Sequence, residues 1–271
     1  MPELPEVETT CRGIRPHLEN QTITAITIRQ TQLRWPISPQ FRKQAINAII
    51  QSVSRRAKYL LIKTNQGTII IHLGMSGSLR LTNSSEAPKK HDHVDIRLGH
   101  DLILRFHDPR RFGAVLWTRR DPLAHKLLKQ LGPEPLDTDF NAELMRTRAH
   151  NRKQAIKTFL MNSQNVVGVG NIYTSEALFL AGIHPKTAAG RLSLQRWQSL
   201  ICAVQEVLRK SIDQGGTTLR DFINSDGQPG YFAQSLRVYG RENQPCHICQ
   251  RPIRRIVQTQ RATYYCATCQ H

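Results

Sequence analysis

The chain begins Met1-Pro2-Glu3, so removal of the initiator methionine would leave a proline secondary amine beside a carboxylate. An α-amine is less basic than a lysine amine, so more of it is unprotonated near neutral pH. Such an amine can attack an electrophilic carbon and form an iminium, a reaction that enzymes usually assign to a buried lysine. Because the pyrrolidine ring restricts the direction of the nitrogen lone pair, less entropy is lost in aligning it. Pro2 and Glu3 are therefore a candidate nucleophile and proton donor.

The same residues also have a purely structural interpretation. Proline and acidic residues are common in the first turn of ordinary helices, where they suit the helix dipole and the free amide groups. The apolar residues that follow fall on one helical face: Val7, Cys11, Ile14 and Leu18. The first ten residues alone favour the helix start, so the chemical interpretation depends on the rest of the chain.

Four cysteines near the other end of the chain form the strongest local signal. They lie in two close pairs separated by sixteen residues: Cys246-x2-Cys249 and Cys266-x2-Cys269. Each pair can hold one edge of a Zn²⁺ tetrahedron, and the residues between the pairs suit a β-hairpin. His247 could in principle compete as a ligand, but four thiolates are already present. The spacing predicts one structural zinc ion with no open coordination position.

The charge balance points to a polyanionic partner. The 271 residues contain 38 Lys plus Arg against 20 Asp plus Glu, a net charge of +18. Nucleic acid is preferred over the alternative, an acidic membrane surface. No segment approaches the roughly 18 apolar residues of a membrane span, and acidic residues lie where a signal peptide would be apolar. We expect an intracellular protein without disulfides, in which Cys11 and Cys202 are buried thiols on apolar helical faces.

Alternating and apolar segments from Thr22 to about Thr118 predict short β-strands. One hairpin is expected over residues 59–75, turning at Asn65-Gln66-Gly67, and another over residues 94–108, turning at Gly99-His100-Asp101. Several short strands at this spacing, after an N-terminal helix, predict a β-sandwich.

From Asp121-Pro122 onward the pattern is helical. The aspartate predicts a helix cap, the proline takes the first helical position, and Gly132-Pro133-Glu134-Pro135 stops this helix. A helix over 153–162, a glycine turn and a helix over 171–181 predict a helix-turn-helix unit, followed by a longer helix over 193–212 and a mobile loop over 216–235. We therefore expect an α+β multidomain protein with three parts: a β-sandwich (1–131), a helical domain (132–235) and a four-cysteine zinc finger hairpin (236–271).

Two basic segments could contact nucleic acid. Asp108-Pro109-Arg110-Arg111-Phe112-Gly113 places two guanidinium groups and an aromatic ring in one turn, a shape suited to fill a gap in a base stack. The alternative is a solvated turn with Phe112 in the core. From residue 237 onward there are six arginines and one acid, Glu242, which favours a phosphate-binding surface over a purely stabilising finger.

Five motifs, in order along essentially the whole chain, resemble the bacterial formamidopyrimidine-DNA glycosylases, also called 8-oxoguanine DNA glycosylases. They are the Pro2–Thr9 start, His72-Leu73-Gly74-Met75-Ser76-Gly77, Asp108–Gly113, Val167–Tyr173, and Gln260-Arg261-Ala262-Thr263 with the four cysteines. The third motif resembles the family's wedge and the fourth its helix-two-turn-helix. Residues 216–232 resemble its damage-recognition loop.

The resemblance implies a bifunctional DNA glycosylase and AP lyase of base excision repair. Pro2 would attack C1′ of a nucleotide carrying an oxidised purine, and Glu3 would act as the acid. The strand would then break by successive β- and δ-eliminations. Lys58 and Arg261 are implied to contact the substrate and to transfer protons.

The resemblance also implies a set of DNA contacts. These residues are His91, Arg110, Arg152, Met75, Phe112, Lys157 and Asn171, with Arg152 and Lys153 interchangeable in the alignment of motifs. Arg110 would face the orphan cytosine, while Lys157 and Asn171 would hold phosphate. Zinc would be structural and would position Arg261. The implied protein is a cytoplasmic, nucleoid-associated bacterial monomer acting on damaged double-stranded DNA.

Two rival hypotheses remain at this point. An endonuclease VIII type enzyme would use the same proline on oxidised pyrimidines, but such enzymes typically start Pro-Glu-Gly and lack the Met, Arg and Phe trio. This chain has Leu4, Met75, Arg110 and Phe112. A non-catalytic DNA-binding protein would keep the zinc hairpin and the helical module alone.

Overall fold

A computed structural model describes residues 2–217 and 235–271. The described residues divide into two compact units: 2–129 with 214–217, and 130–213 with 235–271. The predicted loop over 216–235 falls almost entirely outside the described residues, as does Met1. The three-part division expected from the sequence stays a prediction.

The first unit is a β-sandwich preceded by a helix, as predicted. Helix α1 covers Leu4–Leu18, and a short helix α2 covers Pro39–Ala45. The strands are β1 Ala25–Ile28, β2 Ile50–Arg56, β3 Tyr59–Thr64, β4 Thr68–His72, β5 Ser78–Thr82, β6 Asp92–Arg97, β7 Ile103–His107 and β8 Ala114–Thr118. They form two antiparallel sheets with the orders β1-β6-β7-β5 and β2-β3-β4-β8.

Both sheets and α1 contribute to one hydrophobic core. Ile62 and Ile71 come from one sheet, Val94 and Phe106 from the other, and Ile14 from the helix. The predicted hairpins are confirmed, since β3 pairs with β4 and β6 with β7. Strand β6 contains a buried acid, Asp95. Nε of Arg105, on the paired strand β7, lies 2.8 Å from Oδ1 of Asp95 and neutralises its charge.

The second unit is helical and ends in a hairpin. Its helices are α3 Ala142–Ala149, α4 Ile156–Leu160, α5 Asn171–Leu180 and α6 Leu194–Asp213. Strands β9 Arg254–Gln258 and β10 Arg261–Tyr265 pair antiparallel. Trp197 on α6 lies edge-to-face against Phe159 on α4, with ring centroids 5.7 Å apart, in the core of this unit.

Three details of the sequence prediction are wrong. The helix expected after Asp121 is a single 3-10 turn, Pro122–Ala124, although Asp121 does cap it by accepting from the backbone N–H of Leu123 at 2.9 Å. The helix expected from residue 153 begins only at Ile156, because Ala155 pairs with Ala188 in an extended bridge. Cys202 is exposed, not buried, because it lies on the outer face of α6; Cys11 is buried as expected.

Candidate functional site

The predicted nucleophile and acid lie at the start of α1, and both are buried. Glu3 is the N-cap residue of the helix and is 2 % exposed. Its backbone N–H donates to Oε2 of Glu6 at 2.7 Å. The structural interpretation of Pro2-Glu3 as a helix start is therefore correct. It also supports the chemical one, because the helix fixes the carboxyl-bearing residue next to the proline.

Glu6 is a residue that the sequence analysis missed. It is 2 % exposed, and its second oxygen, Oε1, accepts the backbone N–H of Thr217 at 2.8 Å. Gly216 lies so close that an added Cβ would be 3.3 Å from the same oxygen. An acid three residues after a helix cap is a known cap partner, so the spacing could have marked Glu6. Its bond to Thr217 had no signal in the sequence.

Lys58 follows Ala57 in the tight turn that joins β2 to β3, where Ala57 has a φ of +54°. The side chain of Arg55 is turned inward here: it bonds to Glu8 of α1 at 3.0 Å and to the carbonyl of Ala57 at 2.8 Å. Burial alone would raise the pKa of Glu8, but hydrogen bonds from Arg12 and Arg55 outweigh it and lower that pKa. Glu8 and Arg55 thus fasten α1 to the strand that ends in the turn of Lys58.

His72 lies at the end of β4. Burial, and then the charges of Lys58 and Arg34, lower its pKa to about 4. The His72 ring stacks at a tilt on Tyr59, 4.7 Å between centroids, and its Nδ1 accepts the backbone N–H of Gly74 at 3.0 Å. A neutral His72 therefore fixes the start of the loop that carries Met75.

The three predicted wedge residues lie on two loops of the first unit. Met75 is 37 % exposed and Phe112 45 % exposed. The guanidinium carbon of Arg110 lies 5.0 Å from the centre of the Phe112 ring, a cation–π contact. The alternative that placed Phe112 in the core is therefore wrong. The preceding residue, Arg111, has a left-handed backbone (φ +56°).

His91 is half-buried beside these loops. Its carbonyl accepts the backbone N–H of Asp108 at 3.0 Å, and its ring lies 6.2 Å from that of His93 and 5.9 Å from that of His107. His93 in turn bonds through Nε2 to the carbonyl of Asp108 at 2.8 Å. The predicted contact residue thus adjoins the wedge turn.

The four cysteine sulfurs of the second unit lie within 4.8 Å of one another. Cys246 and Cys269 are 3.9 Å apart, and Cys249 and Cys266 are 3.4 Å apart. Zinc–sulfur bonds of about 2.3 Å in a tetrahedron place the sulfurs about 3.8 Å apart. The four thiols fit one structural Zn²⁺, and His247 is not part of the cluster.

Arg261 is the first residue of β10 and is exposed. It follows a tight turn in which Thr259 and Gln260 both have positive φ angles, +45° and +61°. The next two residues are held from the helical part of the unit. Nζ of Lys157 donates to the carbonyl of Ala262 at 3.0 Å and to Oγ1 of Thr263 at 2.6 Å.

The side chain of Lys157 is only 1 % exposed and is directed at the hairpin. Its expected contact with phosphate stays a prediction. Asn171, the first residue of α5, also donates to the carbonyl of Ala262, at 3.0 Å. Both residues position the strand of Arg261. Arg152 and Lys153, by contrast, are exposed before α4 and available to a phosphate.

Three family models match the chain in the order of its elements. They are the formamidopyrimidine-DNA glycosylase N-terminal domain over residues 1–115, the formamidopyrimidine-DNA glycosylase H2TH domain over 131–223, and the zinc finger found in FPG and IleRS over 243–271. The chain belongs to the formamidopyrimidine-DNA glycosylase family. The fold class, the zinc finger and the family resemblance expected from the sequence are confirmed.

Individual relatives of this glycosylase family match over the whole chain. Formamidopyrimidine-DNA glycosylase of Hydrogenovibrio crunogenus is 54 % identical over 270 residues, covering 100 % of this chain and 96 % of the relative. That of Teredinibacter turnerae is 53 % identical, with full coverage of both.

Solved structures of the family also match this chain over nearly its whole length. The MutM (Fpg) protein of Thermus thermophilus gives a TM-score of 0.89 at 37 % identity, covering 99 % of this chain and 98 % of that one. Lactococcus lactis Fpg in complex with an abasic site containing DNA gives 0.92 at 32 % identity, covering 99 % of each. Among the described residues, no helix is long and apolar enough to cross a membrane.

Proposed function

We propose that this protein is a bifunctional DNA glycosylase and AP lyase of base excision repair that removes oxidised purines, such as 8-oxoguanine and formamidopyrimidines, from duplex DNA. The observation that carries the proposal is the buried Pro2-Glu3 pair at the start of α1, held by Glu6, in a chain that matches the family over its full length. The names of the relatives indicate a glycosylase activity. The buried pair offers the nucleophile and the acid that this reaction needs.

Pro2 becomes a nucleophile only when Met1 has been removed, because its nitrogen is otherwise an amide. The free amine attacks C1′, the bond from C1′ to the base breaks, and the base departs with the bonding electrons and a proton. Opening of the sugar at O4′ then gives an iminium between the proline nitrogen and C1′. Glu3 is the proposed donor of the proton that O4′ takes up, a role that its position beside Pro2 allows.

The iminium withdraws electrons, so the proton on C2′ becomes acidic. Its loss expels the 3′-phosphate by β-elimination, and a second loss, from C4′, expels the 5′-phosphate by δ-elimination. We propose two further residues that donate protons or bind the departing phosphates. They are Lys58, in the turn between β2 and β3, and Arg261, on the β9–β10 hairpin. Both are cations on short, tightly turned loops, which limits the freedom lost on binding.

The exposed basic and apolar residues are proposed to hold the DNA. A nucleotide must leave the base stack before C1′ can be reached, which costs a few kcal/mol. Met75, Arg110 and Phe112 would fill the gap, with Arg110 bonding to the orphan cytosine. His91 and Arg152 would bind phosphate. Zinc, held by the four cysteines, would supply no chemistry beyond fixing the hairpin.

The preference for oxidised purines over oxidised pyrimidines follows from the wedge. Met75 and Phe112 are both exposed and Arg110 lies against the Phe112 ring, which supports a site that recognises the base opposite the lesion. We propose in addition that the protein acts as a monomer in the cytoplasm, in association with the nucleoid, as befits its net charge of +18.

The deciding experiment is borohydride trapping with abasic DNA, on protein whose N-terminal mass shows that Met1 is absent. A covalent adduct is expected with the native chain, and none with Pro2→Gly, which should still bind duplex DNA. Failure of the native chain to form an adduct would favour the non-catalytic hypothesis. Faster excision of thymine glycol than of 8-oxoguanine opposite cytosine would favour the endonuclease VIII type activity.

A further inference from the structure

Two buried polar residues connect the loops that carry the wedge. We propose that Asp108 and Ser76 are positioning residues that hold Met75, Arg110 and Phe112 as one rigid element, and that base eversion depends on this connection. The inference rests on the proposed function, because it assumes that these three side chains fill the gap left by an everted base.

The carboxylate of Asp108 bonds to both loops. Its Oδ1 accepts the hydroxyl of Ser76 at 2.8 Å, and its Oδ2 accepts the backbone N–H of Gly113 at 2.7 Å. Asp108 is 0 % exposed, so water does not compete for these oxygens. A buried carboxylate needs such donors, since burying a polar group without a hydrogen-bond partner is unfavourable, and more so for a charged one.

Ser76 completes the connection in the other direction. Its hydroxyl oxygen accepts the backbone N–H of Arg110 at 3.3 Å while its proton goes to Asp108. Ser76 is 6 % exposed and directly follows Met75. One side chain therefore ties the loop of Met75 to the backbone of Arg110.

Backbone packing brings the two loops into direct contact. Gly74 has a φ of +67°, and a Cβ on it would lie 2.4 Å from the carbonyl carbon of Phe112. A Cβ on Gly113 would lie 2.7 Å from the carbonyl oxygen of His72. Only glycine allows this approach, so the Ser76–Asp108 bond lies within a closely packed pair of loops.

The remaining backbone groups of Asp108 fix the turn itself. Its carbonyl accepts the N–H of Arg111 at 3.3 Å and bonds to the ring of His93 at 2.8 Å. Fixing the backbone of a flexible residue in one conformation costs conformational entropy. A wedge that is ordered before DNA binds does not lose this entropy during eversion. A flexible loop would lose it at that step and would therefore insert its side chains more slowly.

The test is a double-mutant cycle between Ser76→Ala and Phe112→Ala, read by single-turnover excision of 8-oxoguanine from duplex DNA. Each single variant is expected to be about tenfold slower. If Ser76 acts through the wedge, the two effects should not multiply: the double variant should be slower than Phe112→Ala alone by much less than tenfold, because only Met75 and Arg110 then still depend on Ser76. Fluorescence of 2-aminopurine placed beside the lesion reports eversion directly. It should rank the variants as the excision rates do.

Two controls separate positioning from general damage. Ser84→Ala removes an exposed Ser–Asp bond of the same length, 2.8 Å to Asp101, that also joins two loops of this unit, and it should excise at the native rate. Cleavage of an abasic site in single-stranded DNA needs no eversion, so Ser76→Ala should keep it within about twofold.

Asp108→Asn is the conservative variant. Its amide oxygen can accept from Gly113 and its amide group can donate to Ser76, so excision should stay within about threefold of native, whereas Asp108→Ala should be about tenfold slower. Additive effects of Ser76→Ala and Phe112→Ala, equal loss of single-strand cleavage, or native eversion in Ser76→Ala would overturn the inference. A native chain that cleaves neither substrate would instead refute the proposed function.

Discussion

The carboxylate of Glu6 accepts the backbone N–H of Glu3 at 2.7 Å through one oxygen and that of Thr217 at 2.8 Å through the other. The first bond fixes the residue next to the proposed nucleophile. The second fixes Thr217. One buried acid therefore connects the start of α1 with a residue of the same unit that lies 211 positions later in the sequence.

Glu6→Gln should slow covalent trapping on abasic DNA by about tenfold. The glutamine offers one oxygen where the glutamate offers two, so its NH₂ group must face one of the two backbone donors. A buried donor left without a partner costs about 1–3 kcal/mol, and misplacement of Pro2 would appear directly in the rate. The measurement is the initial rate of adduct formation with borohydride.

Glu206→Gln is the matched control, because this exposed acid on α6 bonds only to Lys210 among the described residues. It should trap at the native rate. If Glu6→Gln traps as fast as the native chain and melts at the same temperature, the assignment of Glu6 to positioning Glu3 is wrong.

Lys157→Met should lower the melting temperature of the DNA-free protein by several degrees. The variant removes the donor to the buried hydroxyl of Thr263, at a cost of about 1–3 kcal/mol, and leaves the carbonyl of Ala262 with Asn171 but without Lys157. Each kcal/mol shifts the melting temperature by about 2–4 °C in a domain of this size. Calorimetry without DNA is the measurement.

Arg152→Met provides the contrast. This exposed side chain is proposed to bind phosphate, so its loss should leave the melting temperature unchanged. It should reduce the slope of log affinity against log salt by about 0.9. A Lys157→Met protein that melts like the native one, with a reduced salt slope, would favour the prediction that Lys157 holds phosphate.

The sequence predicted those features whose determinants lie close together along the chain. The cysteine pairs specify a metal site because each pair forms one edge of the tetrahedron, and the β3–β4 hairpin follows from two apolar strands and a turn. The burial of Lys157 could not be predicted in this way, because tertiary contacts decide it. A lysine is rarely buried, but Lys157 finds acceptors 105 and 106 residues away. Phe112 is exposed, as its resemblance to the family's wedge implied.

Cys266→Ser should remove the bound zinc and weaken DNA binding. Zinc binding stabilises the folded hairpin but not the unfolded one, so its loss removes folding free energy from β9 and β10. Arg261 would lose its fixed position. The measurements are zinc content by atomic absorption and affinity for duplex DNA by gel shift.

Cys202→Ser is the control for this experiment, because that thiol is exposed on α6 and outside the metal cluster. It should retain one zinc per chain and native affinity. Full DNA affinity in zinc-free Cys266→Ser would contradict the proposed role of the hairpin.

The pKa of His72 predicts how the stability of the first unit depends on pH. Burial, with the charges of Lys58 and Arg34, lowers that pKa from 6.5 to about 4. Between these values the unfolded chain binds a proton that the folded chain does not. The contribution of neutral His72 to the free energy of unfolding should therefore be complete above pH 6.5. It should decrease as the pH drops towards 4, by about 1.4 kcal/mol per pH unit at most.

Urea unfolding between pH 4 and 7 measures this effect. In a Trp197→Phe background the remaining tryptophans, Trp35 and Trp117, lie in the first unit, so the fluorescence is insensitive to zinc loss from the second. His72→Asn should flatten the profile, since asparagine can accept the N–H of Gly74 without titrating. The exposed His100→Asn should leave the profile unchanged. An identical pH dependence in His72→Asn and in the native chain would show that His72 does not set it.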